Sequence, residues 1–316
     1  MKNVEGKVAF ITGGASGMGL GMAKVFANNG MKIMIADIRQ DAIDRAMAYF
    51  KGTGQEVHPV RLDVTDREAY IKAADEAEDI FGKIHVLVNN AGVATIRDPL
   101  AKMTFKDWDF SMGVNVGGVI NGIVIVLPRI LKHGEEGHIL STSSTLGFSA
   151  AGGFGIYCTT KYAVSGLMEA LASELEGTNV GASVYFPGPV QTEFRESTIA
   201  TRPDHLKNEG QEWPPPPPER DPDRPPVDRS VFMDPLEVGE YILRGIKRDD
   251  LFIMSHPEFR EGIIARNDAL LRSIPVEPPN TKRYNVIKNF GAIYHNPIYD
   301  RQTTPGPQEW KKGLDK

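Results

Sequence analysis

Cysteine is all but missing from this chain: Cys158 is the one thiol in 316 residues. No internal disulfide can form, so the fold must rest on apolar packing, and a reducing compartment is expected. Beside Tyr157, Cys158 reads as a small buried helix residue. Long apolar runs are lacking too. The longest, Val114 to Leu127, is broken by Asn115, Asn121 and several glycines, and it reads as falling short of a membrane span. A strand pattern begins by Lys7, which leaves no room for a secretory leader and points to the cytoplasm. Clusters of Lys and Arg are absent and the formal net charge is −5, so no nucleic-acid partner is expected. The seven histidines show no ligand-like spacing, and no metal site is expected.

What is present is alternation. Short β-rich apolar runs at 7–12, 32–37, 57–63, 84–89, 137–143, 180–186 and 250–255 are separated by helical patterns. The helices are expected at roughly 18–29, 40–53, 66–81, 104–132, 156–176 and 235–248. Apolar content of 41% suffices for a sizeable core. Alternating strands and helices imply an α/β, doubly wound, parallel sheet of seven strands with helices on both faces. Any pocket then lies beyond the carboxyl ends of the strands.

The first strand runs into Gly13-Gly14-Ala15-Ser16-Gly17-Met18-Gly19, followed by a helical pattern. Strand, glycine turn and helix N-terminus make a phosphate site, because backbone N–H groups point outward and missing Cβ atoms permit close approach. Gly13, Ser16, Gly17, Met18 and Gly19 are the candidate cradle. The spacing T-G-x-x-x-G-x-G meets the G-x-G-x-x-G rule only in part, and alone it also fits an ordinary glycine turn. Eighteen residues after Gly19, the second strand ends in Asp37. A carboxylate there can accept both ribose hydroxyls of an adenosine and would repel a 2′-phosphate, which favours NAD. The alternative is that Asp37 only caps the next helix. Arg39 is the nearby cation, and alternation puts it on the opposite side of the strand end.

Tyr157 and Lys161 stand four apart, with Ser144 thirteen residues before the tyrosine. On a helix, positions i and i+4 share a face, so the Lys161 ammonium can favour the Tyr157 phenolate and bring the phenol toward a useful base. Ser144 can hydrogen-bond the same substrate oxygen. Tyr and Lys at this spacing are also common on solvated faces.

Together these residues resemble the short-chain dehydrogenase/reductase family, in its single-domain branch. The match rests on Thr12-Gly13 with Gly17 and Gly19, Asp63-Val64, Asn89-Asn90-Ala91-Gly92, Asn115, Ser144, Tyr157, Lys161 and the run from Pro187 to Thr192. It covers residues 5 to about 256 and implies a Rossmann-like fold. It also implies that Asp63 and Val64 meet the adenine, Asn90 the adenine-side ribose, and Val190 and Thr192 the nicotinamide carboxamide. By the same resemblance Asn115 completes a catalytic set with Ser144, Tyr157 and Lys161 by holding a water. Two glycine- and apolar-rich helical stretches, 113–127 and 163–175, are then interface helices of a homodimer or homotetramer; simple core packing is the other reading.

Residues 1–256 are therefore expected to form the nucleotide-binding and catalytic unit, with 193–233 as a substrate lid. Trp213 and the prolines after it favour polyproline II, which suits a partly ordered lid, disorder or a proline-recognition partner. Residues 257–316 form an extension with a helical pattern to Ser273. Its aromatics Tyr284, Phe290, Tyr294, Tyr299 and Trp310 are expected to pack on the same subunit or a neighbour. The uncharged stretch 145–156 and Phe148, Phe154, Phe186 and Phe194 favour a neutral, apolar or aromatic secondary alcohol or ketone. The lid and the segment Leu251 to Glu258 look similar to Cα-dehydrogenases acting on lignin-derived aryl ethers. Rival readings are a catalytically silent nucleotide-binding scaffold and an NAD-retaining epimerase or lyase.

Overall fold

The computed structural model describes residues 1–95, 97–210 and 227–305. Strands β1 (Val8–Thr12), β2 (Lys32–Asp37), β3 (Val57–Arg61), β4 (Val86–Asn89), β5 (Gly137–Thr142), β6 (Val180–Phe186) and β7 (Phe252–Met254) form one sheet. Its order is β3-β2-β1-β4-β5-β6-β7, and each pair is parallel. This is the expected seven-stranded doubly wound α/β fold, Rossmann-like in its order. The order reverses between β1 and β4, and this opens a crevice beyond their carboxyl ends.

Side chains alternate across the sheet, and each strand therefore feeds two cores. Phe10, Met34, Leu87, Ile139 and Val184 face one layer, packed by Tyr70, Val119, Val126, Ile130, Val164 and Met168. Those residues come from helices α3 (Arg67–Phe81), α5 (Gly118–His133) and α6 (Gly155–Glu174). Ala9, Ile11, Ile33, Ile35, Val86, Val88 and Leu140 face the other layer. It is closed by α1 (Gly17–Asn28), α2 (Gln40–Phe50) and α8 (Pro235–Arg248) through Met22, Phe26, Ile43, Val238, Ile242 and Ile246. Helices α1 and α8 come very close, since a Cβ on Gly21 would lie 2.1 Å from the Pro235 carbonyl oxygen.

The helix expected over 104–132 is divided. Helix α4 (Phe105–Met112) passes into a π turn (Gly113–Gly117) and then into α5. Three glycines permit the widened turn, which directs Asn115 inward, and such turns mark functional positions. A second expectation is corrected here. By length and composition the helical run Phe105–His133 could cross a membrane, yet it packs along the sheet through Val119, Val126 and Ile130.

After β6, helix α7 (Phe194–Thr201) and 3₁₀ turns at Asp204–Leu206 and Arg229–Val231 form the described part of the segment 193–233. Arg202 holds it down: its guanidinium donates to Asp107 at 2.8 Å and to the Leu206 carbonyl oxygen at 2.6 Å. Trp213, the polyproline run and Trp310 lie outside the described residues. The extension contains α9 (Arg260–Arg272) and α10 (Thr281–Ile287), neither with a buried residue. Its later part returns to the sheet edge. Ile298 is fully buried, Tyr299 stacks on Phe252, and Gln302 bonds both backbone groups of Phe252. The tail thus packs on its own subunit at Ile298 and Tyr299, whereas Tyr284, Phe290 and Tyr294 remain exposed.

Candidate active site

One cavity of about 580 Å³ follows the carboxyl ends of β1, β2, β4, β5 and β6. Of the sequence candidates it is lined by Gly13, Ser16, Gly17, Met18, Asp37, Asp63, Val64, Asn90, Ser144, Tyr157, Lys161, Val190 and Thr192. Gly19 and Asn115 stand behind the wall.

At one end is the glycine turn. Gly13 (φ 60°) and Gly17 (φ 49°) adopt left-handed backbone that other residues resist. A Cβ on Gly13 would lie 3.0 Å from the Ala91 Cα, and one on Gly17 would lie 3.0 Å from Thr192 Cγ2. Gly19 is needed for packing, since its Cβ would fall 2.0 Å from the Gly13 carbonyl oxygen. Asn90 ties the turn to β4, its Nδ2 donating to the carbonyls of Thr12 (3.2 Å) and Gly13 (3.3 Å). Ser16 is the N-cap of α1, and its side chain makes no capping bond, so the positive end of the helix opens on the cavity.

Asp37 is buried at the end of β2. Its carboxylate accepts the Ala15 N–H at 3.2 Å and the Arg39 N–H at 3.0 Å. Burial raises its pKa, against the pull of these bonds and of the Arg39 charge. Arg39 is not on the opposite side of the strand end: it lines the same cavity. It lies 3.7 Å from the Glu193 carboxylate, which is also 3.9 Å from Arg45. Alternation fails here because Arg39 is the N-cap of α2 and no longer follows the strand.

At the other end Tyr157 and Lys161 project from α6. The Lys161 ammonium lies 5.5 Å from the Tyr157 ring centre and donates to the Thr142 carbonyl oxygen at 3.0 Å. Burial pushes the Tyr157 phenol up to about 12, with the Ser144 hydroxyl beside it acting in the opposite direction. Burial also brings Lys161 down to about 8. The expected lowering of the phenol below its ordinary value is therefore not what this state shows. Desolvation outweighs the hydrogen bond that favours phenolate.

The two adjacent serines are separated by their partners. Ser143 is fully buried and its hydroxyl is occupied within α6, 2.9 Å from both the Lys161 carbonyl oxygen and the Ser165 hydroxyl. The Ser144 hydroxyl accepts the Leu146 N–H at 3.1 Å and keeps its proton available. Asn115 clamps the Val93 backbone, accepting its N–H at 2.8 Å and donating to its carbonyl at 3.0 Å. Through Gly92 it adjoins the lysine, since a Cβ there would meet Asn115 Oδ1 at 3.3 Å and Lys161 Nζ at 3.7 Å.

The remaining wall includes residues that sequence reading missed: Phe110, Phe232, Leu206, Asp109 and His205. They come from α4, the 3₁₀ turn Asp204–Leu206 and the segment before α8, so only the fold brings them together. Of the expected phenylalanines only Phe194 lines the cavity, edge-on to Tyr157 with ring centres 6.3 Å apart. Phe148 and Phe186 pack on each other at 5.3 Å, with Phe186 in the sheet core.

Comparison with known proteins agrees with this architecture. Residues 7–203 match the short chain dehydrogenase family model. The chain is 37% identical over 281 residues to a C alpha-dehydrogenase of Sphingobium sp. strain SYK-6, covering 88% of this chain and 90% of that protein. Among solved structures, LigO in its apo form from Sphingobium sp. strain SYK-6 shares 40% identity with a TM-score of 0.74. That match covers 97% of this chain and 100% of the other. A short chain dehydrogenase/reductase from Burkholderia phymatum in complex with NAD shares 31% identity with a TM-score of 0.78, over 88% of this chain and 99% of the other. With its parallel sheet, glycine turn and matching span, the chain belongs to the short chain dehydrogenase family.

Proposed function

We propose that the protein transfers hydride between NAD and a neutral secondary alcohol or ketone bearing apolar or aromatic groups, with Tyr157 as general acid–base. The observation that carries this reading is the single cavity that joins the glycine turn and Asp37 to Ser144, Tyr157 and Lys161. In this reading Gly13, Ser16, Gly17 and Met18 hold the pyrophosphate, and Gly19 sets their turn. Asp37 holds the adenosine ribose, Asp63, Val64 and Asn90 flank the adenosine, and Val190 and Thr192 face the nicotinamide. When bound, the nicotinamide ring supplies the hydride acceptor or donor at the carbinol carbon. Arg39 could attract a 2′-phosphate, but Glu193 stands against it and Asp37 repels such a group, which supports NAD over NADP.

Tyr157 exchanges the proton at the substrate oxygen, and Ser144 donates a hydrogen bond to the charge that develops there. Lys161 keeps a positive charge beside the phenol, while Asn115 holds the 91–93 wall on which the lysine packs. Phe110, Phe194 and Phe232 support an apolar or aromatic substrate. The relative named C alpha-dehydrogenase suggests that aryl carbinols belong in the first panel.

Residues 1–256 are assigned as the nucleotide-binding and catalytic unit and 257–316 as its extension. A homodimer or homotetramer is supported by Ile120, Val124 and Leu131, exposed along α5, and by Leu271 and Phe290 on the extension. Light scattering that returned the mass of one chain would refute this.

Tyr157→Phe should lose nearly all NADH formation from aryl carbinols, on the order of 10²–10⁴-fold, while titration calorimetry still detects NAD binding. Retained turnover would sink the assignment. NAD binding without NADH formation by the unaltered protein would favour the silent or NAD-retaining alternatives.

A further inference from the structure

His256 follows β7 and stands behind the loop 187–190, whose four residues line the cavity. Its Nδ1 accepts the Gly188 N–H at 3.2 Å, and its Nε2 lies 3.1 Å from the Pro189 carbonyl oxygen. These two contacts fix the tautomer, because an Nδ1 that accepts carries no proton and Nε2–H must then donate. The Ser255 hydroxyl, 2.9 Å from Nδ1, shares that one acceptor lone pair with the Gly188 N–H in a three-centre contact. The Ser255 oxygen in turn accepts the Tyr185 hydroxyl at 2.8 Å. Ser255 and Tyr185 are both buried, so the imidazole is oriented from the core.

The loop is shaped for this ring. A Cβ on Gly188 would lie 2.6 Å from the imidazole and 2.8 Å from the Phe259 ring, which packs edge-on against His256. The Pro189 carbonyl also accepts the Met233 N–H at 3.1 Å, and Gln191 N–H donates to Met233 at 3.0 Å. The loop is thus held between the start of the C-terminal extension and the segment by which the lid returns to the fold.

We propose that His256 is a positioning residue for the nucleotide: by holding the Gly188 N–H and the Pro189 carbonyl from behind, it sets the wall formed by 187–190. The inference rests on reading the cavity as the NAD site. It gives the chain beyond β7 a part in binding that none of the sequence motifs assigned to it.

The test compares His256→Ala with His256→Asn, whose side-chain oxygen can still accept the Gly188 N–H. In His256→Ala the Kd for NAD, measured by calorimetry, and the KM for NAD should rise about tenfold, with kcat within about twofold. The Gly188 amide should exchange faster by hydrogen–deuterium exchange. His256→Asn should recover most of the affinity and the protection. Ile298→Ala, a core residue that does not line the cavity, serves as a control for a general loss of stability. An unchanged Kd in His256→Ala would overturn the inference, as would an equal loss in the control and no recovery in His256→Asn. If the unaltered protein bound no NAD, the reading of the cavity itself would fall and this inference with it.

Discussion

Lys161 is 4% exposed and satisfied by one backbone carbonyl, so the fold carries a buried ammonium for the sake of its site. Burial lowers its pKa from 10.5 to about 8. Between those values the unfolded chain binds a proton that the folded one does not, so stability rises with pH across that window. Below about 8 the full penalty applies, roughly 3 kcal/mol. Lys161→Met should remove it and leave the Thr142 carbonyl unpaired, which takes back about 1–3 kcal/mol. The variant is expected to be inactive yet no less stable than the parent near neutral pH, with Tm raised by up to about 4 °C. Its advantage should shrink at alkaline pH. Thermal scans at the two pH values check this, and a variant that is less stable by the same amount at both would contradict it. At this scale the site was legible where spacing within one helix or turn determines position, as for Tyr157 and Lys161. Arg39 was not, since leaving a strand breaks the alternation on which its expected side depended.

Among the elements, α7 is the one whose placement depends most on a few polar groups. Asp107 closes the capping box of α4, accepting from the Thr104 N–H and hydroxyl at 2.9 Å, and it also takes the Arg202 guanidinium. Burial pushes this carboxyl up, but the Thr104, Arg202 and Asn208 bonds outweigh it and hold it below the usual range. Arg202 further lies over the Phe110 ring, 5.5 Å from its centre. This buried ion pair therefore ties the end of α7 to the cavity wall and the start of α4. Asp107→Asn should remove the carboxylate charge from this contact with Arg202, and a charge-assisted bond of this kind is worth about 1.5–3 kcal/mol. We expect faster proteolysis within 202–208 and a raised KM for the alcohol. Unaltered cleavage and KM would show that α7 is held by other contacts. None of this was readable beforehand, because Asp107 and Arg202 are 95 residues apart in sequence. The strands, by contrast, were read to within two residues at each end, since runs such as Val8–Thr12 are buried on both faces and have no helical period.

At the scale of the whole molecule a sheet lies between two apolar layers, and a titratable group is buried inside it. His138 lies in β5 and is fully buried. The Ser183 hydroxyl donates to the Asp250 carbonyl oxygen at 2.5 Å, so His138 Nε2–H must be the donor to Ser183 at 2.7 Å. Nδ1 is then an unprotonated acceptor with no hydrogen-bond partner among the described residues, 3.7 Å from the Asp249 carboxylate. Burial, helped by the nearby N-terminal ammonium, lowers its pKa from 6.5 to about 3. In this interval the unfolded chain takes up a proton that the folded chain refuses, so stability is full above about 6.5 and falls as the pH drops toward 3. Between pH 7 and pH 5 the loss from this one group should be about 2 kcal/mol. His138→Leu removes the titration and keeps the volume, and its urea midpoint should change less than the parent's between those two pH values. Equal acid sensitivity in parent and variant would mean that Asp249 moves to meet the protonated ring and compensates it. The edge between β5 and β6 would then be more compliant than the close fit of Gly181 allows, where a Cβ would lie 2.0 Å from the Asp249 carboxylate and 2.6 Å from the imidazole.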